Sequence, residues 1–236
     1  MKHRASPNHD ARPADEPVDI LVLHYTGMQS GQAAIDRLCD PEARVSAHYV
    51  VEEDGTVWHL VPEDRRAWHA GVSFWRGHEV LNGRSIGIEI VNPGHEWGYR
   101  PFPEAQMAAV ADLCQGIVSR HPIPPRNVVA HSDIAPDRKD DPGELFDWPW
   151  LAAQGIGLWP DFGTVSVSST VDEARLRADL AAFGYPVPET DQGEAAFATL
   201  LRAVQRRWRP SRVTGAADAE TAHRASVLAS LVRNGG

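Results

Sequence analysis

The sequence predicts an α/β fold: a mixed central sheet with helices on its faces, followed by a small all-α unit. Three observations carry that expectation. Short β-branched apolar runs at residues 18–24, 85–91 and 127–131 have strand length. A long stretch between the last two has helical spacing. Beyond residue 163 the pattern becomes purely helical.

Taken in order, residues 1–17 are a polar N-terminal tail, and Val18-Asp-Ile-Leu-Val-Leu-His24 reads as a buried strand ending at His24. A Gly/Gln/Ser segment leads into a short helix over 33–38. Residues 48–51 and 56–61 flank Asp54-Gly55, a hairpin signal, which gives two further strands. The run 85–91 is a strand closed by Asn92-Pro93-Gly94. From Pro103 to His121 the apolar residues Met107, Val110, Ala111, Cys114, Ile117 and Val118 recur at helical spacing, with Pro103 where a helix start tolerates it. Residues 127–131 form a strand ending in His131. The Pro, Gly and Ser/Thr content of 159–170 marks a linker. After it, Leu176, Leu180 and Phe183, then Phe197, Leu200, Leu201, Val204 and Trp208, then the stretch from Thr221 to Val232 spell three helices. The expected division is a sheet domain at 18–163 and a three-helix domain at 164–236.

At 236 residues the chain can bury a sizeable core, and 42% hydrophobic with 23% charged residues excludes a disordered or low-complexity chain. A net charge of −9 argues against nucleic acid as a partner, because binding a phosphate backbone needs a basic stripe. No apolar run is long enough to span a membrane and no apolar segment of signal-peptide type precedes Val18, so no membrane association is expected. The expected compartment is the cytoplasm, or the periplasm if a signal sequence lies upstream. Cys39 and Cys114 make neither a CxxC pair nor a disulfide framework and read as small core residues. A monomer is expected.

Ten of the eleven histidines and seven of the eight tryptophans precede residue 164, so the chemistry is concentrated there. His24 and His131 close two apolar strands, where adjacent strands bring their ends together, and Asp141 follows ten residues after His131. Two histidines and a carboxylate leave zinc one open position for water, the mark of a catalytic site; the alternative is surface histidines and a loop aspartate. Lys139 is one of only two lysines against 21 arginines, which suits a task needing a compact ammonium, or is chance. Glu89 interrupts an apolar strand and faces away from Ile88 and Ile90. It serves either as a general base or as the partner of a buried arginine. Trp68, His69 and Arg138 suit contacts to a sugar or peptide, or, for the first two, packing under a loop. His48 reads as buried; His59, His78 and His95 read as surface residues.

Leu23-His-Tyr-Thr26, Ser46-Ala-His-Tyr-Val50, Ala67-Trp-His-Ala-Gly71, Ser85-Ile-Gly-Ile-Glu89 and the segment from Ala130 through Lys139 to Gly143 together resemble the zinc N-acetylmuramoyl-L-alanine amidases. That family is related to the T7-type lysozyme amidase and the peptidoglycan recognition proteins. The resemblance covers roughly residues 18–163. It implies that His24, His131 and Asp141 hold Zn2+, that Glu89 is the general base and that Lys139 stabilises an oxyanion. Ala47 and Asp141 stand where the phage-type branch has a tyrosine and a cysteine, and both are features of the AmpD/AmiD-like branch. The implied reaction is hydrolysis of the amide between N-acetylmuramic acid, expected in its 1,6-anhydro form, and L-alanine, with peptidoglycan fragments as partners. The alternatives are a non-catalytic peptidoglycan receptor on the same fold and a zinc peptidase cutting within the stem peptide. The C-terminal helices are similar to a small peptidoglycan-binding domain through the segment ending at Tyr185 and through Val213-Thr-Gly215 to Asp218, or they pack on the first domain without binding anything.

Overall fold

The computed structural model describes residues 1–164 and 170–233, so the central part of the expected linker, 165–169, lies outside the described residues. In chain order the strands are β1 (Lys2–His3), β2 (His9–Ala11), β3 (Ile20–Tyr25), β4 (Tyr49–Val51), β5 (Val57–His59), β6 (Arg65–Ala67), β7 (Phe74–Trp75), β8 (His78–Glu79), β9 (Ser85–Ile90) and β10 (Val128–Ala130). The helices are α1 (Gly31–Leu38), α2 (Gly94–Trp97), α3 (Glu104–Arg120), α4 (His131–Ile134), α5 (Trp148–Ala153), α6 (Glu173–Phe183), α7 (Gly193–Trp208) and α8 (Ala219–Arg233).

The central sheet runs β1-β5-β4-β9-β3-β10. It is mixed, as the sequence predicts: β4 and β5 are the antiparallel hairpin around Asp54-Gly55, while β4, β9, β3 and β10 run parallel. Strand alternation divides its residues between two cores. Leu21, Leu23, Ile86, Ile88, Ile90, Val128 and Ala130 pack against α3. Ile20, Val22 and Val129 face the other way, onto a core completed by Leu176, Leu180 and Phe183 of α6, Leu200, Val204 and Trp208 of α7, and Leu228 of α8. The three C-terminal helices are present where their apolar spacing puts them, and they cover this second face of the sheet.

Three departures from the sequence reading have physical causes. The N-terminal residues are more than a tail: β1 pairs with β5 and β2 with β6, while buried Ser6 and Asn8 donate to the carbonyls of Leu38, Asp40 and Val45. Edge strands held by polar contacts carry no apolar alternation for a sequence to show. The helix expected at 33–38 starts at Gly31, because the Ser30 side chain caps it by accepting from the Ala33 amide. The strand expected to end at His131 ends at Ala130, and His131 opens α4. There the Asp133 carboxylate accepts the Ala130 amide hydrogen and turns the chain.

Candidate metal centre

Parallel pairing sets His24 of β3 level with Glu89 of β9, and the pairing of Leu23 with Ala130 brings His131 to the same end of the sheet. The loop after α4 returns Asp141 to that point, held by the Ser132 amide donating to the Asp141 carbonyl at 3.0 Å. His24 Nδ1 and His131 Nδ1 lie 2.9 Å apart, and each is 3.1 Å from Asp141 Oδ2. All three residues are buried. A tetrahedral metal with bonds of about 2.0–2.1 Å has edges of about 3.3 Å, so the three atoms already approximate one face of such a site.

The electrostatics suit a cation. Burial, and then the neighbouring His131, push His24 down to about 4, leaving a neutral imidazole. Burial alone would raise the Asp141 carboxyl, but His131 and His24 outweigh it and hold the group well below the usual carboxylate range. Two imidazoles and one carboxylate are a donor set zinc accepts, with a fourth position left open. The second ring nitrogen of each histidine is also engaged, as ligand histidines require: His24 Nε2 meets His69 Nδ1 at 3.1 Å and His131 Nε2 meets the Ala70 carbonyl at 3.2 Å.

The cluster opens on a cavity of about 400 Å³ whose lining includes Glu89, Trp68, Arg138 and Lys139. Glu89 is partly exposed to it, yet its Oε2 is buried without a hydrogen-bond partner. Burial, and then the nearby Asp141, push the Glu89 carboxyl well above its ordinary range, against the pull of Lys139. The buried-arginine alternative is thereby removed, since Glu89 forms no ion pair among the described residues. The Lys139 ammonium likewise has no hydrogen-bond or ion-pair partner among the described residues, although its amide is tied to the Ala135 carbonyl.

Of the residues expected to touch a substrate, Trp68 lines the cavity and is half-buried. Arg138 lines it too, but Nε and Nη2 are already donating to the carbonyls of Val72 and Ala70. His69 also lines the cavity, though it is nearly buried, with one ring nitrogen facing His24 Nε2 at 3.1 Å and the other facing Ser85 Oγ at 3.1 Å. His48 is buried as expected, its Nδ1 accepting from the Gly87 amide. His78 is exposed, His59 is half-buried against Tyr49, and His95 is exposed but bound to Tyr25 and Glu144. The sequence reading missed Tyr25, Thr26 and Asp140 as lining residues. For Tyr25 no signal was available, since alternation turns it away from His24 and only the end of the strand lets it reach the cavity.

Comparison with known proteins gives a consistent picture. The family model described as N-acetylmuramoyl-L-alanine amidase matches residues 14–144. The chain is 41% identical over 230 residues to N-acetylmuramoyl-L-alanine amidase AmiD of Escherichia coli, covering 89% of this chain and 82% of that one. It is 39% identical over 164 residues to 1,6-anhydro-N-acetylmuramyl-L-alanine amidase AmpD of Enterobacter cloacae, covering 62% of this chain and 86% of the relative. Among solved structures, E. coli AmiD in complex with anhydro-N-acetylmuramic acid-L-Ala-D-gamma-Glu-L-Lys aligns with a TM-score of 0.83 at 40% identity, over 92% of this chain and 91% of that one. AmpDh3 of Pseudomonas aeruginosa aligns with a TM-score of 0.81 at 33% identity, over 97% and 98%.

Proposed function

The chain belongs to the N-acetylmuramoyl-L-alanine amidase family, and from that premise we propose that it is a zinc hydrolase. It cleaves the amide between N-acetylmuramic acid, in its 1,6-anhydro form, and the L-alanine of the stem peptide. The observation that carries this reading is the meeting, at one cavity, of three converging ligand atoms with a buried carboxylate oxygen and an ammonium that have no partner among the described residues.

His24 Nδ1, His131 Nδ1 and Asp141 Oδ2 hold the metal. When bound, zinc supplies a Lewis acid and a water of lowered pKa. Glu89 takes the proton of the attacking water and returns it to the amine of the departing L-alanine, a role that suits a carboxyl held above its ordinary range by burial and the nearby Asp141. Lys139 faces the oxygen of the scissile carbonyl and stabilises its negative charge with a free ammonium. Trp68 offers a face to the sugar or peptide. Residues 18–163 carry this chemistry, and the helices α6, α7 and α8 pack on the second face of the sheet. No helix of the described residues is long and apolar enough to cross a membrane.

The deciding experiment is mass spectrometry of products from anhydro-muropeptide and from whole sacculi. The expected products are the free anhydro-sugar and a peptide beginning with L-alanine. A cut within the stem peptide would establish the peptidase alternative, and binding without cleavage the receptor alternative. Purified protein is expected to hold about one zinc per chain. His24→Ala, His131→Ala and Asp141→Ala are each expected to lose metal and activity together.

A further inference from the structure

We propose that the dipeptide His69-Ala70, pinned by Asn82 and terminated by Ser85, sets the tautomers of both metal-ligand histidines. His69 is therefore a positioning residue of the metal centre. The inference rests on the metal-site reading above.

The hydrogen positions follow from one fixed donor. Ser85 Oγ donates to the Leu81 carbonyl at 2.7 Å, which commits its only hydrogen. Toward His69 Nε2, 3.1 Å away, the hydroxyl can then only accept, so Nε2 carries the ring hydrogen. His69 Nδ1 is left with its lone pair facing His24 Nε2 at 3.1 Å, and His24 Nε2 must carry a hydrogen in turn. That leaves the lone pair of His24 on Nδ1, the atom that meets Asp141 and His131. The adjacent residue repeats the device in one step. The Ala70 carbonyl accepts from His131 Nε2 at 3.2 Å, because a carbonyl cannot donate, and the His131 lone pair also falls on Nδ1. Asn82 Oδ1 holds the dipeptide by accepting both the His69 and the Ala70 amides, at 3.1 and 2.8 Å.

The strand beneath is shaped for this ring. A Cβ on Gly87 would stand 2.4 Å from His69 Cγ, so the imidazole lies where any other side chain would begin. Ser85, Gly87 and Glu89 therefore occupy successive positions on one face of β9: the first ends the relay, the second seats its ring and the third enters the cavity.

The test reads tautomers and metal affinity. Long-range nitrogen–proton NMR of the full chain, with and without zinc, is expected to show His69 and His24 with their hydrogens on Nε2. A His69 hydrogen on Nδ1 would overturn the proposal. Chelator competition is expected to show zinc affinity lower by about 10- to 100-fold in Ser85→Ala and His69→Ala. His69→Asn, whose amide oxygen can accept from His24 Nε2, is expected to recover much of that loss. The muropeptide KM of Ser85→Ala is expected to stay near wild type; a raised KM with unchanged zinc affinity would return His69 to a substrate role and sink the relay. A wild-type protein that binds no zinc would defeat the functional reading while leaving the tautomers readable in the metal-free chain.

Discussion

Within the cavity, Glu89 and Lys139 are charged groups with no ion-pair partner among the described residues, and substitutions there separate chemistry from metal binding. Glu89→Gln keeps the shape of the side chain and removes the base. It is expected to retain zinc by metal analysis while turnover falls by about 10²-fold or more. Lys139→Ala is expected to lower kcat by about 10²–10³-fold, in the range of a single lost oxyanion donor, with little change in KM. Gly87→Ala reaches the site from beneath: its methyl would collide with the His69 ring, and strand packing on both sides leaves little room for retreat. A loss of about 1–3 kcal/mol in urea unfolding, together with weakened zinc binding, is expected. At this scale the sequence was informative about identity and poor about role. His24, His131 and Asp141 meet as their places in the sequence suggested, with Glu89 and Lys139 lining the cavity beside them, whereas the engagement of both His69 ring nitrogens leaves no trace in a sequence, where that ring looks like any other histidine.

Among the elements, α3 was the most legible, since its apolar face repeats over four turns. Its anchors were not, because they are single polar residues distant in sequence. Gln106 Nε2 donates to the carbonyls of Val51 and Val91, tying the first turns to the ends of β4 and β9. At the other end Glu63 accepts from Arg120, His121 and the Tyr49 hydroxyl. Burial would raise the Glu63 carboxyl, but these donors prevail and hold it near 2, below its ordinary value of 4.5. The folded-state value is depressed, so the stabilisation is fully present above about pH 4.5 and is lost as pH falls toward 2. Discounted for solvent screening at a half-buried site, it is about 1–2 kcal/mol. Glu63→Gln is expected to lower unfolding stability by about that amount at neutral pH and to flatten the decline of stability between pH 4.5 and 2. An undiminished slope in the variant would place the acid sensitivity elsewhere. The short turn at α4 escaped the sequence for a similar reason: its geometry depends on one Asp133 contact, and periodicity carries no trace of that.

Across the whole molecule, the C-terminal helices share a core with the sheet and also reach the candidate metal centre through Asp133. That buried carboxylate accepts from the Ala130 amide, from the Tyr185 hydroxyl at 2.7 Å and from Arg207 Nη1 at 3.3 Å. Arg207 also donates to the Val128 carbonyl and lies 3.3 Å over the Trp148 ring. Burial raises the Asp133 carboxyl, and Arg207 opposes the rise. Removing the cation alone leaves a buried charge without its partner, so Arg207→Ala is expected to cost about 3–5 kcal/mol in urea unfolding. Sequence spacing found these helices but could not show which face of the sheet they cover, because an apolar stripe does not name its partner. The contact joins residues 74 positions apart, and it fastens the turn two residues after His131. A genetic screen for loss of amidase activity would accordingly recover lesions in α7, among residues with no chemistry of their own. Such alleles would be temperature-sensitive and relieved by second-site stabilisers, whereas alleles at Glu89 would be neither.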